Sequence, residues 1–215
     1  DPVARYGCVV ATNRPVEGDV PGALHGVFVD LLAAPEIVPD ARAHLDQRPK
    51  IKLVRAQVPL PRTPRWELQG ATGRLLVQDS DQRQLAPEDF RCVTTRPASP
   101  QEAGAMDFAW RVVRHAKSNA IVLTQGSCTV GIGSGVTSRV QAVKLALGVA
   151  GGRATGSVLA SDGFFPFPDG VEAAGRAGVS VIIQPGGSIR DAEVIAMAEK
   201  YGISMYLTGW RVFRH

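Results

Sequence analysis

Four polar or glycine-rich segments in the second half of the chain carry the residue types that small-molecule chemistry needs. Lys117-Ser118-Asn119 stands just before the apolar run 120–124. An asparagine there offers a carbonyl acceptor and an amide donor, suited to a carboxamide or an exocyclic amine; the alternative is an asparagine that closes a helix. Gly131-Ile132-Gly133-Ser134-Gly135 leads into Val136-Thr137-Ser138-Arg139. A glycine-rich turn that opens a helix exposes backbone N–H groups to an anion, and Arg139 adds a guanidinium able to clamp a phosphate or carboxylate. The spacing is G-x-G-x-G, which is not the dinucleotide fingerprint, so a simple tight turn is the competing reading.

The third segment, Ser161-Asp162-Gly163-Phe164-Phe165-Pro166-Phe167-Pro168-Asp169-Gly170, sets three phenylalanines and two prolines between carboxylates. It is either a stiff wall for a flat heterocycle or a set of aromatic core plugs, and the two prolines favour the wall. In the fourth, Gln184-Pro185-Gly186-Gly187-Ser188, the serine is an N-cap or a ligand contact. The chain closes on Trp210-Arg211-Val212-Phe213-Arg214-His215, whose interleaved aromatics predict a packed tail with one arginine turned inward.

Other chemistries lack their residues. The histidines are His25, His44, His115 and His215, and no nucleophile elbow accompanies them. No H-x-E pairs with a P-C-x-x-C, which excludes zinc deaminase chemistry as a reading. Cys8, Cys92 and Cys128 are odd in number and far apart, against a disulfide scaffold or a metal cage and in keeping with a reducing cytoplasm. The net charge of +4 is spread without a basic run, and aromatic residues are only 6%, a poor basis for a nucleic-acid platform. The excess of positive charge suits phosphorylated or polyglutamylated small molecules instead. The longest apolar runs, such as 179–183, are far too short to cross a bilayer, and no signal-like segment opens the sequence.

These segments need elements to hold them. In the first half, strands are expected at 7–12, 31–33 and 51–55, with helices at 20–28 and 39–47. A proline-rich connector at 56–64 and an antiparallel pair at 66–69 and 74–78 follow, with Gly70 and Gly73 in the turn. Ser99, Pro100 and Glu102 mark the start of a helix over 100–115. Thereafter strands at 120–124, 129–132, 156–160, 179–183 and 204–207 alternate with helices at 137–148, 171–177 and 189–201. That alternation predicts an α/β sheet with helices packed on its faces, and a soft boundary lies near 99–106.

In order along the chain, KSNAIVL, GIGSGVTSR, ASDGFFPFPDGV, IIQPGGSIRD and RVFRH resemble the C-terminal transformylase part of the bifunctional purine biosynthesis protein (AICAR transformylase/IMP cyclohydrolase). DPVARYGCVVATN, LLAAPEIVPDA and GRLLVQDSD resemble its more N-terminal stretches, so the likeness runs over essentially the whole chain. The resemblance implies transfer of a formyl group from 10-formyltetrahydrofolate to the 5-amino group of the aminoimidazole carboxamide ribonucleotide AICAR. It also implies a three-layer α/β/α fold of two cytidine-deaminase-like repeats without zinc, divided at 105/106, and a cytoplasmic homodimer with sites at its interface.

On the matching positions, Gly7, Asp30, Asn119, Arg139, Phe164 and Arg211 are expected at the nucleotide, with Arg211 on the phosphate and Phe164 against the imidazole. Val140, Asp169, Ser188 and Ile189 are expected at the folate, with Asp169 facing pterin N–H groups. No catalytic residue is assigned and no metal is expected. The family's Lys-His pair, whose histidine is the general base, lies in a K-H-x-N-P-C-G motif that this sequence does not contain; the 215 residues by themselves are therefore expected to be inactive. Arg5-Tyr6-Gly7-Cys8 replaces the usual small-aromatic-Gly-Gly, and Gly163 replaces an alanine. Two alternatives stand beside this reading, a non-catalytic nucleotide or folate binder and a transformylase for another heterocyclic amine.

Overall fold

In a computed structural model, which describes residues 5–56, 66–83 and 87–214, the chain forms two compact units, residues 1–82 and 83–215. The first unit contains β1 (Cys8–Ala11), α1 (Val20–Ala23), β2 (Val29–Ala34), α2 (Pro39–Asp46) and β3 (Lys52–Arg55). The three strands pair in parallel in the order β1-β2-β3. Their core is small: Val16, Leu32, Ala34, Ala41 and Leu45 are the buried apolar residues that cluster. The helix expected over 20–28 is a single turn at 20–23, and Gly26 beyond it takes φ 74°, outside the helical region. Most of the proline-rich connector, residues 57–64, lies outside the described residues.

The antiparallel pair is a hairpin of β4 (Trp66–Ala71) and β5 (Arg74–Asp79), in register from Trp66↔Asp79 to Ala71↔Arg74. Gly70 lies within the strand, and the turn is Thr72-Gly73, both at positive φ as a two-residue loop of this hand requires. Alternation puts Trp66, Leu68, Leu75 and Val77 on one face, all of them exposed.

The second unit is a mixed six-stranded sheet in the order β6-β11-β10-β9-β7-β8. Along the chain it reads β6 (Arg91–Cys92), α3 (Pro100–Val113), β7 (Ile121–Gln125), β8 (Cys128–Gly133), α4 (Arg139–Ala150), β9 (Val158–Ser161), α5 (Asp169–Arg176), β10 (Val181–Gln184), α6 (Asp191–Lys200) and β11 (Ser204–Leu207). Strands β9, β10 and β11 are parallel; β7 runs against β9, β8 against β7, and β6 against β11. Side chains of successive strand residues leave on opposite faces, and here both faces are covered. Ile121, Leu123 and Ile182 pack with α4, α5 and α6, whereas Val122, Val181 and Ile183 pack with Trp110 and the apolar side of α3. The result is three layers, α/β/α.

Helix α3 starts as its sequence predicts, with Ser99 Oγ accepting from the Glu102 N–H and the Glu102 carboxylate accepting from the Ser99 N–H. Residues 83–105 belong to the compact second unit. β6 pairs with β11, Thr95 donates twice to Glu199, and Arg96 donates to Glu102 and to the carbonyls of Ser180 and Gly202. Compactness thus divides the chain at 82/83.

Two glycines explain how closely α4 approaches the sheet. A Cβ on Gly131 would lie 2.1 Å from the Ala146 carbonyl oxygen, and one on Gly133 2.0 Å from that of Ala142. No side chain of any size fits there, so the helix rests directly on the strand. The first two glycines of the G-x-G-x-G run therefore serve packing, not anion binding; only Gly135, at φ 71°, takes a turn conformation.

Candidate functional site

The strand directions explain how distant segments meet. Parallel β9, β10 and β11 end at one edge of the sheet; β7, being reversed, begins there, and β8 ends there before feeding α4. Asn119, Arg139, Phe164 and the 184–188 turn all follow or precede strands at this edge, where α/β sheets bind ligands. A cleft of about 350 Å³ opens at it, lined by Asn119, Thr137, Ser138, Arg139, Val140, Phe164, Pro166, Phe167, Asp169 and Phe213. A neighbouring hollow of about 300 Å³ shares Asn119, Thr137 and Phe213 and adds Ser118, Gly135 and Val136.

The three phenylalanines of the 161–170 loop divide their duties. Phe165 is fully buried in the core, and Gly170 accommodates it, since a Cβ there would come within 2.9 Å of its ring. Phe164 is half-buried in the cleft wall and Phe167 is half-exposed. The Arg211 guanidinium stands over the Phe164 ring at 4.8 Å and Arg190 over Phe167 at 4.9 Å, each in cation–π geometry. Asp169 is exposed in the first turn of α5, its carboxylate accepting from the Gly170 N–H, so a negative charge sits at a helix N-terminus.

Arg139 differs from the free clamp expected of it. It is buried, and its Nη1 donates to the Asp162 carboxylate and, at 3.1 Å, to the Ala120 carbonyl, while Nη2 donates to Asn119 Oδ1 at 2.7 Å. The guanidinium is thus held mainly by the protein. Asn119 is pinned at both ends of its amide, since Nδ2 also donates to the Val136 carbonyl at 2.9 Å. One amide hydrogen and one oxygen lone pair remain for a ligand.

Ser188 is not the N-cap of α6. That position is Arg190, and the Asp191 carboxylate accepts from the N–H groups of Gly187 and Ser188 while Ser188 Oγ accepts from the Arg190 N–H. Ile189 is left fully exposed beside them. The closing segment packs through Val212, but neither of its described arginines turns inward as expected: Arg211 and Arg214 are both exposed. Val212 is buried, its N–H donating to the Asp162 carbonyl, and Ser118 exchanges hydrogen bonds with the backbone of Arg214. His215 lies outside the described residues.

Of the expected site residues, Asn119, Arg139, Val140, Phe164 and Asp169 line one cleft, and Arg211 stacks on its Phe164 wall. Ser188 and Ile189 lie on the next turn along the same sheet edge. Gly7 and Asp30 belong to the first unit: Gly7, at φ 73°, donates to the Phe28 carbonyl, and Asp30 pairs with Lys52 at 3.2 Å. Sequence reasoning missed Asp162 as more than a flanking carboxylate, and Phe213 as a cleft residue. Among the described residues no three His, Cys, Asp or Glu side chains converge as a metal site, and no helix is long and apolar enough to cross a membrane.

The fold and the edge cleft define a mixed α/β protein with a candidate small-molecule site in its second unit. Comparison with known proteins then gives the family. The AICARFT/IMPCHase bienzyme family matches residues 1–148, and the chain belongs to it. All of the chain aligns with the bifunctional purine biosynthesis protein PurH of Chloroflexus aurantiacus at 46% identity, of Anoxybacillus flavithermus at 44% and of Desulfitobacterium hafniense at 43%. It spans less than half the length of these relatives, 42 to 43%.

Proposed function

We propose that the chain is part of a formyltransferase that moves the formyl group of 10-formyltetrahydrofolate onto the 5-amino group of AICAR, corresponding to the C-terminal transformylase part of its relatives. The observation that carries this reading is the single cleft in which residues expected at the two ligands share one wall: Asn119, Arg139 and Phe164 for the nucleotide, Val140 and Asp169 for the folate. In the reaction the amine nitrogen attacks the formyl carbon, the bond from that carbon to the folate nitrogen breaks, and a base removes the amine proton. Direct transfer requires both substrates side by side in a near-attack arrangement, which a shared wall supplies.

Each residue has a role suited to its setting. Arg211 is exposed and stacked on Phe164, so its donors remain available to a phosphate carrying two negative charges. Phe164 offers the ring face for the imidazole. Asn119 presents one donor and one acceptor in a fixed orientation, matching a carboxamide. Asp169, exposed at the cleft, accepts from pterin N–H groups, with Ser188 and Ile189 lining the remainder of the folate. Gly7 and Asp30 complete the nucleotide set, and the same reading includes zinc-free deaminase-like repeats dividing at 105/106, a homodimer with interfacial sites, and a cytoplasmic location.

No lysine of the 215 residues is followed by a histidine, so the general base is absent from them. The isolated chain should bind AICAR in calorimetry yet give no turnover with 10-formyltetrahydrofolate, and a supplied segment bearing the Lys-His pair should restore it. Arg211→Ala removes charge-assisted hydrogen bonds of roughly 1.5–3 kcal/mol, a loss of about 10- to 100-fold in nucleotide affinity. Undiminished affinity in that variant refutes the phosphate assignment. Tight binding with no turnover even after rescue favours the binding-protein reading, and turnover of a different amine by the rescued enzyme favours the other transformylase.

A further inference from the structure

We propose that Asp162 is the positioning residue of the cleft, setting both Asn119 and the closing tail without itself touching a ligand. The inference rests on the nucleotide reading above, and deepens it. Asp162 is fully buried, yet it holds three segments that are distant from it in sequence, 118–120, 139 and 212. Its Oδ1 accepts from the Ala120 N–H at 3.0 Å and from Arg139 Nη1, its Oδ2 accepts from Ser118 Oγ, and its backbone carbonyl accepts from the Val212 N–H at 3.0 Å. A carboxylate with two acceptor oxygens is the one side chain of this size that can satisfy all three side-chain-directed donors and neutralise the guanidinium.

Two routes run from it into the cleft. Through Arg139, whose Nη2 donates to Asn119 Oδ1, it fixes which end of the Asn119 amide faces inward. Only the oxygen can meet a guanidinium, so the amide cannot flip while Arg139 stays in place. Through Ser118, whose Oγ accepts from the Arg214 N–H, and through its own carbonyl on Val212, it brackets the tail on either side of Phe213. Arg211, immediately before that bracket, is the residue stacked on Phe164. Neither Asn119 nor Arg211 lies in a helix or strand, so these hydrogen bonds replace the rigidity that such elements give to other sites. Asp162 thereby couples a base-reading group to a phosphate-reading group.

The test is AICAR affinity by calorimetry in the 215-residue chain, using Asp162→Asn, Ser118→Ala, Asn119→Ala and Arg211→Ala and their pairs. Asp162→Asn keeps the shape and loses the charge that holds Arg139. A fall in affinity of tenfold or more is expected, and most of it should vanish when Asn119 is already alanine, because a residue acting through another has nothing left to position. Ser118→Ala cuts only the route to the tail, and its effect should vanish instead in the Arg211→Ala background. If Asp162→Asn does not fold, the Ser118 and Arg211 pair still decides the matter. Effects that simply add, or wild-type affinity in Asp162→Asn and Ser118→Ala while Asn119→Ala and Arg211→Ala bind weakly, overturn the positioning role alone. Wild-type affinity in Asn119→Ala and Arg211→Ala, or no AICAR binding by the parent chain, overturns the nucleotide reading beneath it.

Discussion

Replacing Gly133 by alanine puts the packing of α4 on β8 to a direct test. The new Cβ would lie 2.0 Å from the Ala142 carbonyl oxygen, 2.9 Å from its carbonyl carbon and 3.0 Å from the Ala146 nitrogen. These are backbone atoms inside a hydrogen-bonded helix, so no side chain can rotate away. The helix itself must retreat by about 1 Å, and a gap of that size forfeits a quarter to a half of the dispersion energy of every contact it opens. The contacts at stake include Ala142, Val143 and Ala146 against Ile121, Leu123 and Val130. Overpacking of this kind costs about 1–3 kcal/mol, and the backbone nature of the obstacle sets the expectation at the upper end, roughly 3 kcal/mol. For a chain of this size that lowers the midpoint of thermal unfolding by about 6–12 °C. The assay is urea unfolding followed by the near-ultraviolet dichroism of Trp110, which is buried beneath the opposite face of the same sheet. A change within about 0.5 kcal/mol of the parent, the range of ordinary surface substitutions, would refute the packing argument and return Gly133 to the role of an anion-binding turn.

Gly131→Ala should behave alike, with a Cβ 2.1 Å from the Ala146 oxygen, whereas Gly148→Ala, which meets nothing within 4 Å, should leave the unfolding midpoint the same or slightly higher. Burial raises the Glu102 carboxyl pKa, but hydrogen bonds from Arg96 and from Ser99 outweigh it and pull the group down from 4.5 to about 2. A depressed carboxylate pKa contributes stability above its unfolded value that is lost as acid protonates it, so unfolding free energy should fall between pH 4.5 and 2; in Glu102→Gln that portion of the fall should be missing. Leu75→Lys and Val77→Lys lie on the exposed face of the hairpin and should shift stability by less than about 0.5 kcal/mol while raising solubility, as measured by denaturation and by precipitation in ammonium sulfate.

The second unit was largely legible because its signals are local. Strand β11 falls at 204–207 as the apolar run predicts, and the Ser99-Pro100-Glu102 pattern marks the start of α3 because every partner in that cap lies within three residues. Boundaries elsewhere in this unit shifted by one or two positions at strand and helix ends. What escaped sequence reasoning depends on partners distant along the chain. Strand β6 is only two residues long and exists because β11 accepts it at an edge. The glycines of β8 look like a turn until α4 is laid across them. Arg139 reads as a free clamp because Asp162, 23 residues further on, is what neutralises it. In the 161–170 loop, wall and plug were both open readings, and the structure uses both: Phe164 and Phe167 as wall, Phe165 as plug.

The two units have unequal cores. Unit 83–215 buries apolar side chains on both faces of a six-stranded sheet, while in unit 1–82 the buried cluster among the described residues has five members and the hairpin is exposed along its whole length. Local opening free energy follows buried apolar contact, so the chain has a durable half and a fragile half. Under brief trypsin digestion the arginines of the first unit should be cut while a resistant fragment close to the mass of residues 83–215 accumulates. In amide exchange, the protons of β1 to β3 should be gone long before those of β9 and β10.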